Sequence, residues 1–233
     1  MTTIYQITDT HVGLEDDNVA RKNFLVLMDY VSQNPVDFLL ITGDLPNVDG
    51  STEIYAWMKS KIPAAQKTYV IPGNHDYSDN LFQVFGEEIC GNKDFVFTIQ
   101  LESIDLVFTN TGSTNFPESQ LAYLQRPEVR EHSVLFTHFP TKKISDGFMD
   151  RNYPLQNIDA TDKAIRASNI DHVFCGHFHT EFMVEDGYKL NVTPSPAFEV
   201  ELHAIKAKIT SPRIPIREIN IQGTTTTSSV IYL

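Results

Sequence analysis

The chain is short of cysteine. Its 233 residues hold two, Cys90 and Cys175. Two cysteines exclude a disulfide framework, and their separation excludes the CxxC spacing of zinc ribbons and redox motifs. Both read as reduced structural thiols. Positive charge is scarce too: 18 Lys and Arg against 30 Asp and Glu leave a formal net charge of -12. That balance excludes duplex nucleic acid as the main partner, because such binding needs a basic face. A small anionic substrate remains compatible, since bound cations reverse the local field. No apolar run approaches the roughly 18 residues of a membrane span, so no membrane contact is expected. The opening "MTTIYQITDTH" lacks a basic segment followed by an apolar stretch, so no signal peptide is read there and a cytoplasmic location is expected. Internal repeats and Gly-, Pro- or Ser-rich linkers are also missing. The expectation is one domain over residues 1–233, with 200–233 as a C-terminal β extension.

What is present suits a packed α/β domain. Hydrophobic residues make up 41% of the chain, enough for a sizeable core. Short apolar runs alternate with amphipathic ones. "IYQIT" (4–8), "VDFLLIT" (36–42) and "TYVIP" (68–72) read as strands. Between them, "VARKNFLVLMDYVSQN" (19–34) places Phe24, Leu27, Met28 and Val31 at helical spacing, and "TEIYAWMKSKI" (52–62) reads as a second helix. The order β-α-β-α-β is that of a sheet covered by helices. "FVFTIQL" and "IDLVFTN" follow as a strand pair, "PESQLAYLQ" (117–125) as a helix opening on proline, and "SVLFTHF" (133–139) and "HVFCGHF" (172–178) as further strands with a helix near 160–168 between them. The last quarter reads as antiparallel, with Asp186-Gly187 turning a hairpin and "RIPIREINI" (213–221) a strand. "TTTTSS" (224–229) reads as an exposed turn or edge strand.

Polar clusters follow the strands. After the first come Asp9 and His11, after the second Gly43 and Asp44, after the third Gly73, Asn74, His75 and Asp76. His138 ends "SVLFTHF", and "GHFH" puts His177 and His179 after "HVFC". In α/β sheets, ligand-binding groups gather at the carboxyl ends of strands. Taken singly, each cluster reads as a turn or loop. Five in this order point to one site. Imidazoles, carboxylates and an amide oxygen form a mixed N/O donor set without thiolate, which suits Mn, Fe, Zn or Co better than Ca. The donors are too many for one ion. Two ions about 3.5–4 Å apart, sharing one carboxylate, would use them all.

The ordered set DxH … GD … GNHD … H … GHxH resembles the calcineurin-like metallophosphoesterase superfamily, over residues 9 to 179. The resemblance implies an α/β, four-layer αββα sandwich, with mixed β-sheets flanked by helices and a dinuclear centre at strand ends. Carried over position by position, it gives one metal to Asp9, His11, Asp44 and His179. It gives the second to Asp44, Asn74, His138 and His177, with Asp44 bridging and Gly176 allowing a tight turn before the two histidines. Within the superfamily the chain most resembles the bacterial class III 3′,5′-cyclic nucleotide phosphodiesterases (the CpdA/Icc type), through "ITGDL", "VIPGNHD", "PESQLAYL", "CGHFH" and "VTPSPAF". It departs from them at "PAFEVE" and at "HFP".

The resemblance therefore implies a metal-dependent phosphodiesterase with a small phosphodiester substrate, foremost cAMP hydrolysed to AMP by a metal-bridging hydroxide. A broader dinuclear phosphodiesterase or phosphomonoesterase is the alternative. His75 is expected to act on the phosphate as proton donor or electrostatic stabiliser, with Asp76 orienting it. A binding scaffold with a decayed site would lack ligands, and none is missing. The antiparallel C-terminal region offers an edge for a homodimer. His132, His172 and His203 lie outside the pattern and read as structural or solvent-facing. Tyr55 and Trp57 read as packing, and Lys142, Lys143 and Arg151 as solvated. Segment 140–158 has little periodicity and is expected over the same sheet edge as the motifs.

Overall fold

The computed structural model describes residues 1–15, 18–48, 50–126 and 129–233. The first half runs β1 (Thr2–Ile7), α1 (Val19–Gln33), β2 (Phe38–Thr42), α2 (Thr52–Lys61), β3 (Thr68–Ile71), α3 (Ser78–Phe85), α4 (Glu87–Cys90), β4 (Phe97–Gln100) and β5 (Asp105–Phe108). It continues with α5 (Glu118–Leu124), β6 (Ser133–Phe136), α6 (Phe148–Asn152), α7 (Ile158–Arg166) and β7 (Ile170–Cys175). The end is all strand: β8 (Phe182–Asp186), β9 (Tyr188–Val192), β10 (Glu199–Val200), β11 (Ile209–Thr210), β12 (Pro215–Gln222) and β13 (Thr225–Tyr232).

Two mixed sheets form the centre. One has the order β13-β12-β1-β2-β3, the other β4-β5-β6-β7-β9-β8. Strand alternation shows how they stack. In the second sheet, Leu106, Phe108, Val134, Phe136 and Phe174 join a core shared with Ile4, Leu40 and Ile219 of the first. Their neighbours Val107, Leu135, Val173 and Cys175 point the other way, into a core with Leu124 of α5 and Ile165 of α7. Helices α1 and α2 cover the outer face of the first sheet through Phe24, Leu27, Ile54 and Met58. The result is the four-layer αββα sandwich.

Local chemistry explains the elements. Helix α1 starts where Asn18 accepts a hydrogen bond from the Arg21 amide, and it buries Phe24, Leu27, Met28 and Val31 along one stripe. Ser51 caps α2 in the same way. Strand β2, "FLLIT", is buried along its whole length, as a strand with neighbours on both edges and both faces must be. Phe97, Phe108, Phe136 and Phe174 stack as a ladder across the second sheet, at centroid spacings of 4.4, 5.2 and 5.5 Å. Both cysteines are buried free thiols; burial pushes Cys90 up to about 12 and Cys175 higher still.

Some expectations change. Proline 117 precedes α5 as its capping residue rather than starting it. Helices α3 and α4 were not foreseen; α3 buries Leu81 and Phe85, one turn apart. The hairpin at Gly187 is present, but β9 pairs in parallel with β7, so the C-terminal region is not wholly antiparallel. Strand β8 takes the outer place and leaves β9 beside β7. "TTTTSS" belongs to β13, the outer strand of the first sheet. No helix among the described residues is long and apolar enough to cross a membrane.

One consequence of this topology positions the site. β1, β2 and β3 are parallel to one another, as are β6 and β7. Their carboxyl ends therefore emerge at common edges, each followed by one of the polar clusters.

Candidate metal centre and its cleft

Seven nominated side chains meet where the two sheets end. Donor atoms of Asp9, His11, Asp44 and His179 lie within 4.8 Å of one another, and so do those of Asp44, His138 and His177. Asp44 belongs to both groups. The resemblance would give these two groups to two ions, with Asp44 shared. Asn74 lines the same cleft with its buried Oδ1 free of any partner.

Each carboxylate has one oxygen tied down and one held out. Asp9 Oδ2 accepts from the Thr8 hydroxyl and the His177 amide, both at 2.8 Å. Its Oδ1 faces His179 at 3.2 Å without a hydrogen bond. Asp44 Oδ1 accepts from the His75 amide at 2.8 Å. Its Oδ2 stands 3.3 Å from His138 Nε2 and 3.7 Å from His11 Nε2.

Three of the four histidines are oriented by backbone carbonyls. His138 Nδ1 lies 3.0 Å from the Thr42 carbonyl, His179 Nδ1 3.2 Å from that of Phe198, and His177 Nε2 2.9 Å from that of Tyr153. Donation to these oxygens fixes the tautomer and leaves the opposite ring nitrogen as a lone pair for the site. Aromatic rings brace the imidazoles. Phe139 packs on His177 at 3.9 Å and Phe198 on His179 at 4.2 Å, with Phe198 also 5.5 Å from His11. Phe139 is the residue that makes "HFP" depart from the related sequences, and Phe198 lies in "VTPSPAF", one of the stretches that carry the resemblance.

The backbone is strained where the donors sit. Among the described non-glycine residues, eight have positive φ, and five of them are Asp9, His11, Asp44, His177 and His179. Left-handed conformations at such residues persist only where surrounding contacts enforce them, and they cluster at functional sites. Gly43 shares this conformation at φ 99, and a Cβ there would strike the His138 ring. Gly176 does not have positive φ. Its role is close approach rather than a tight turn: a Cβ would fall on Asp9 Oδ2 and Thr8 Oγ1.

The electrostatics fit a cation. Burial opposes ionisation of Asp9, yet His179 and His138 outweigh it and hold the carboxyl lowered to about 2. Against the same penalty, His138 and His11 keep Asp44 well below the usual carboxylate range. Burial and His179 lower His11 to about 3, and burial and His138 lower His177 to about 4. His138 goes the other way. Burial works against its charge, but Asp44 and Asp9 raise it to about 9. Without metal, the lowered carboxyls of Asp9 and Asp44 face the raised imidazole of His138. The unpartnered buried atoms Asp9 Oδ1, Asn74 Oδ1 and His138 Nε2 are an expense that coordination removes. The donor set therefore fits the two ions that the resemblance implies.

His75 and Asp76 take different places from those expected. His75 is exposed, lines the cleft and sits edge-on to His11 at 4.9 Å. Its Nδ1 contacts the Asn47 carbonyl, not Asp76. Asp76 instead accepts from the amides of Gly73 (2.7 Å), Asp44 (2.8 Å) and Leu45 (3.4 Å) and from the Tyr55 hydroxyl (2.9 Å). It ties the loop after β3 to the loop after β2. Burial and the nearby Asp44 raise it to about 7. Tyr55 is accordingly more than packing, since its oxygen also accepts from the Tyr77 amide at 3.0 Å.

The cleft measures about 410 Å³. Its floor is the histidine and carboxylate cluster. Its walls are apolar: Phe148, Met149 and Tyr153 from the segment over the sheet edge, and Phe198, Val200 and Ile209 from around the β10–β11 pair. Segment 140–158 thus does overhang the site, and does so through α6. No lysine or arginine lines the cleft among the described residues. Lys142 is buried elsewhere, donating to the Asp186 carbonyl at 2.6 Å over the Tyr188 ring.

Sandwich and donor cluster together define a metallophosphoesterase hydrolase. Residues 2–181 match the calcineurin-like phosphoesterase family, and the chain belongs to it. Among curated relatives, it is 28% identical over 212 residues to a protein of Fibrobacter succinogenes named "Probable cyclic nucleotide phosphodiesterase", covering 85% of this chain and 81% of that one. It is 26% identical over 196 residues to the "Probable glycerophosphodiester phosphodiesterase GpdQ" of Arcobacter nitrofigilis, covering 76% and 71%. Among solved structures, a dimetal phosphatase from Danio rerio superposes with a TM-score of 0.69 at 12% identity, over 99% of this chain and 98% of that one.

Proposed function

We propose that the chain is a metal-dependent phosphodiesterase that hydrolyses 3′,5′-cyclic nucleotides, foremost cAMP to AMP. One ion would be held by Asp9, His11, Asp44 and His179, and a second by Asp44, Asn74, His138 and His177. Two ions so placed supply Lewis-acid stabilisation of phosphoryl charge and lower the pKa of water.

The remaining work belongs to the chain. His75 would carry a proton on the ring nitrogen opposite the one at the Asn47 carbonyl, and deliver it to the leaving alkoxide. Asp76 would hold the two loops that present Asp44 and His75. Phe139 and Phe198 would keep the imidazoles from turning.

The observation that carries this reading is the contrast between floor and walls. A metal-type floor under apolar walls, with no lysine or arginine beside it, suits a singly charged diester bearing a flat, weakly polar ring. A dianionic monoester would call for a further cation. The name of the Fibrobacter relative supports the same substrate class. The name of the Arcobacter relative favours a second reading, in which the diester is not cyclic. Turnover of cAMP, an aryl diester and an aryl monoester by one metal-loaded preparation separates these. The first reading requires cAMP to be the best of the three; preference for the monoester would end it.

A further inference from the structure

The sandwich is open along one side, where β13 and β8 are the outer strands of their sheets. A cleft of about 620 Å³ lies there, lined by Arg217, Thr226, Ser228 and Asn191, with Glu181 and Glu185 among its walls. The centre just described is built from none of these residues.

Arg217 is the unusual member. It is 4% exposed, yet it makes no ion pair among the described residues. Its Nε donates to Thr193 Oγ1 at 2.7 Å, one Nη to the Val192 carbonyl at 2.9 Å and the other to Ser228 Oγ at 3.2 Å. A guanidinium has five N–H groups, so one on each Nη remains without a protein acceptor. Thr226 is 6% exposed and its Oγ1 is buried with no partner. The two carboxylates are engaged: Glu181 accepts from the Tyr232 hydroxyl at 2.5 Å, and Glu185 pairs with Lys189 at 3.7 Å. Burial lowers Arg217 to about 10, which leaves it charged at neutral pH. Glu181 opposes that lowering from the cleft wall, and the Phe174 ring lies 5.9 Å from the guanidinium, but the atoms in contact with it are neutral acceptors, and a buried cation so placed is better satisfied when an anion completes the site.

We infer that this cleft is a second binding site, for a small oxyanion of the phosphate class, held by the two spare N–H groups of Arg217 and the hydroxyls of Thr226 and Ser228. The fork of a guanidinium matches the oxygens of such an ion, and the hydroxyls add donors for a tetrahedral one. Glu181 and Glu185 restrict the site to a small ion by repelling an extended polyanion.

The test is calorimetric titration of inorganic phosphate into the full chain, metal-loaded and chelator-stripped, as wild type and as the Thr226→Val and Arg217→Lys variants. Stripping separates the two sites, because the metal-free centre presents two carboxylates and repels phosphate. The inference requires one phosphate per chain to bind the stripped protein, and that site to persist in the metal-loaded protein beside whatever its centre binds. It also requires affinity to fall about tenfold or more in Thr226→Val, the loss of one hydrogen bond to a charged group, and further in Arg217→Lys. Thr226→Val is nearly isosteric and removes an unpartnered hydroxyl, so it folds even if the arginine variant does not. Phosphate binding that disappears with the metal, or that Thr226→Val leaves unchanged, overturns the second site and leaves the phosphodiesterase reading untouched.

Discussion

The Nδ1 of His75 lies 2.7 Å from the carbonyl oxygen of Asn47. That contact does for His75 what Asp76 was expected to do. A carbonyl accepts a hydrogen bond but carries no charge to pair with the ring, so it orients the imidazole without forming an ion pair with it. His75→Ala is expected to retain full metal content and lose about 10²–10⁴-fold in turnover, the usual contribution of a general acid. Metal analysis beside kcat for cAMP decides it. Unchanged kcat with unchanged metal would remove His75 from the mechanism.

Asp44 faces both donor groups with one oxygen, Oδ2. Asp44→Asn is therefore expected to lower occupancy at both positions, to below one metal per chain after desalting. Loss of one equivalent, with the other held at wild-type affinity, would show that Asp44 does not bridge.

Metal uptake should release protons. His138 is raised from the ordinary 6.5 to about 9 by Asp44 and Asp9, against the effect of burial. A raised cation stabilises the metal-free fold below its ordinary value, and that contribution is lost as pH rises through about 9. A ligand must be neutral, so metal has to displace this proton. Apparent affinity is expected to weaken about tenfold per pH unit as pH falls below about 9, for the one proton displaced. Titrations in buffers of different ionisation enthalpy would read the proton directly. Affinity flat from pH 6 to pH 9 would contradict the charge state assigned to His138.

The two halves of the centre stand on different sheets, and Gln6 helps hold them together. Its Nε2 donates to Thr42 Oγ1 at 2.9 Å, and its Oε1 accepts from the Thr193 hydroxyl at 2.7 Å. Thr193 in turn accepts from Arg217, and the Thr42 carbonyl receives His138. Gln6→Leu strips partners from buried hydroxyls and should destabilise the fold by about 2–3 kcal/mol. Chemical denaturation is the measurement, and an unchanged midpoint with an unchanged slope would refute the role.

Much of this was legible in the chain. Asp9, His11, Asp44, Asn74, His75, His138, His177 and His179 follow strands whose period and flanks are readable, and parallel pairing then brings them to common edges. The supporting contacts were not legible. The carbonyls of Thr42, Asn47, Tyr153 and Phe198 orient four histidines, and a carbonyl has no sequence signature. Ser195, whose hydroxyl donates to the Asp9 carbonyl at 2.7 Å, is silent for the same reason: which backbone group it meets depends on how β9 docks. The left-handed backbone at five donors has no marker either, because Asp and His do not announce positive φ as glycine does. Phe139 was visible only as a departure from related sequences and Phe198 only as part of a matching stretch; the structure packs both on histidines of the site. Arg217 read as an ordinary strand residue, since only the facing of the two sheets buries it.

The central claim, a metal-dependent cyclic nucleotide phosphodiesterase, is tested most directly by reconstitution. The protein is stripped with chelator, Mn²⁺ is added back, and conversion of cAMP to AMP is followed. Hydrolysis absent from the stripped protein and restored by the ion is the expected result. Intact cAMP alongside cleavage of an aryl diester would keep the metal centre and contradict the assignment to cyclic nucleotides.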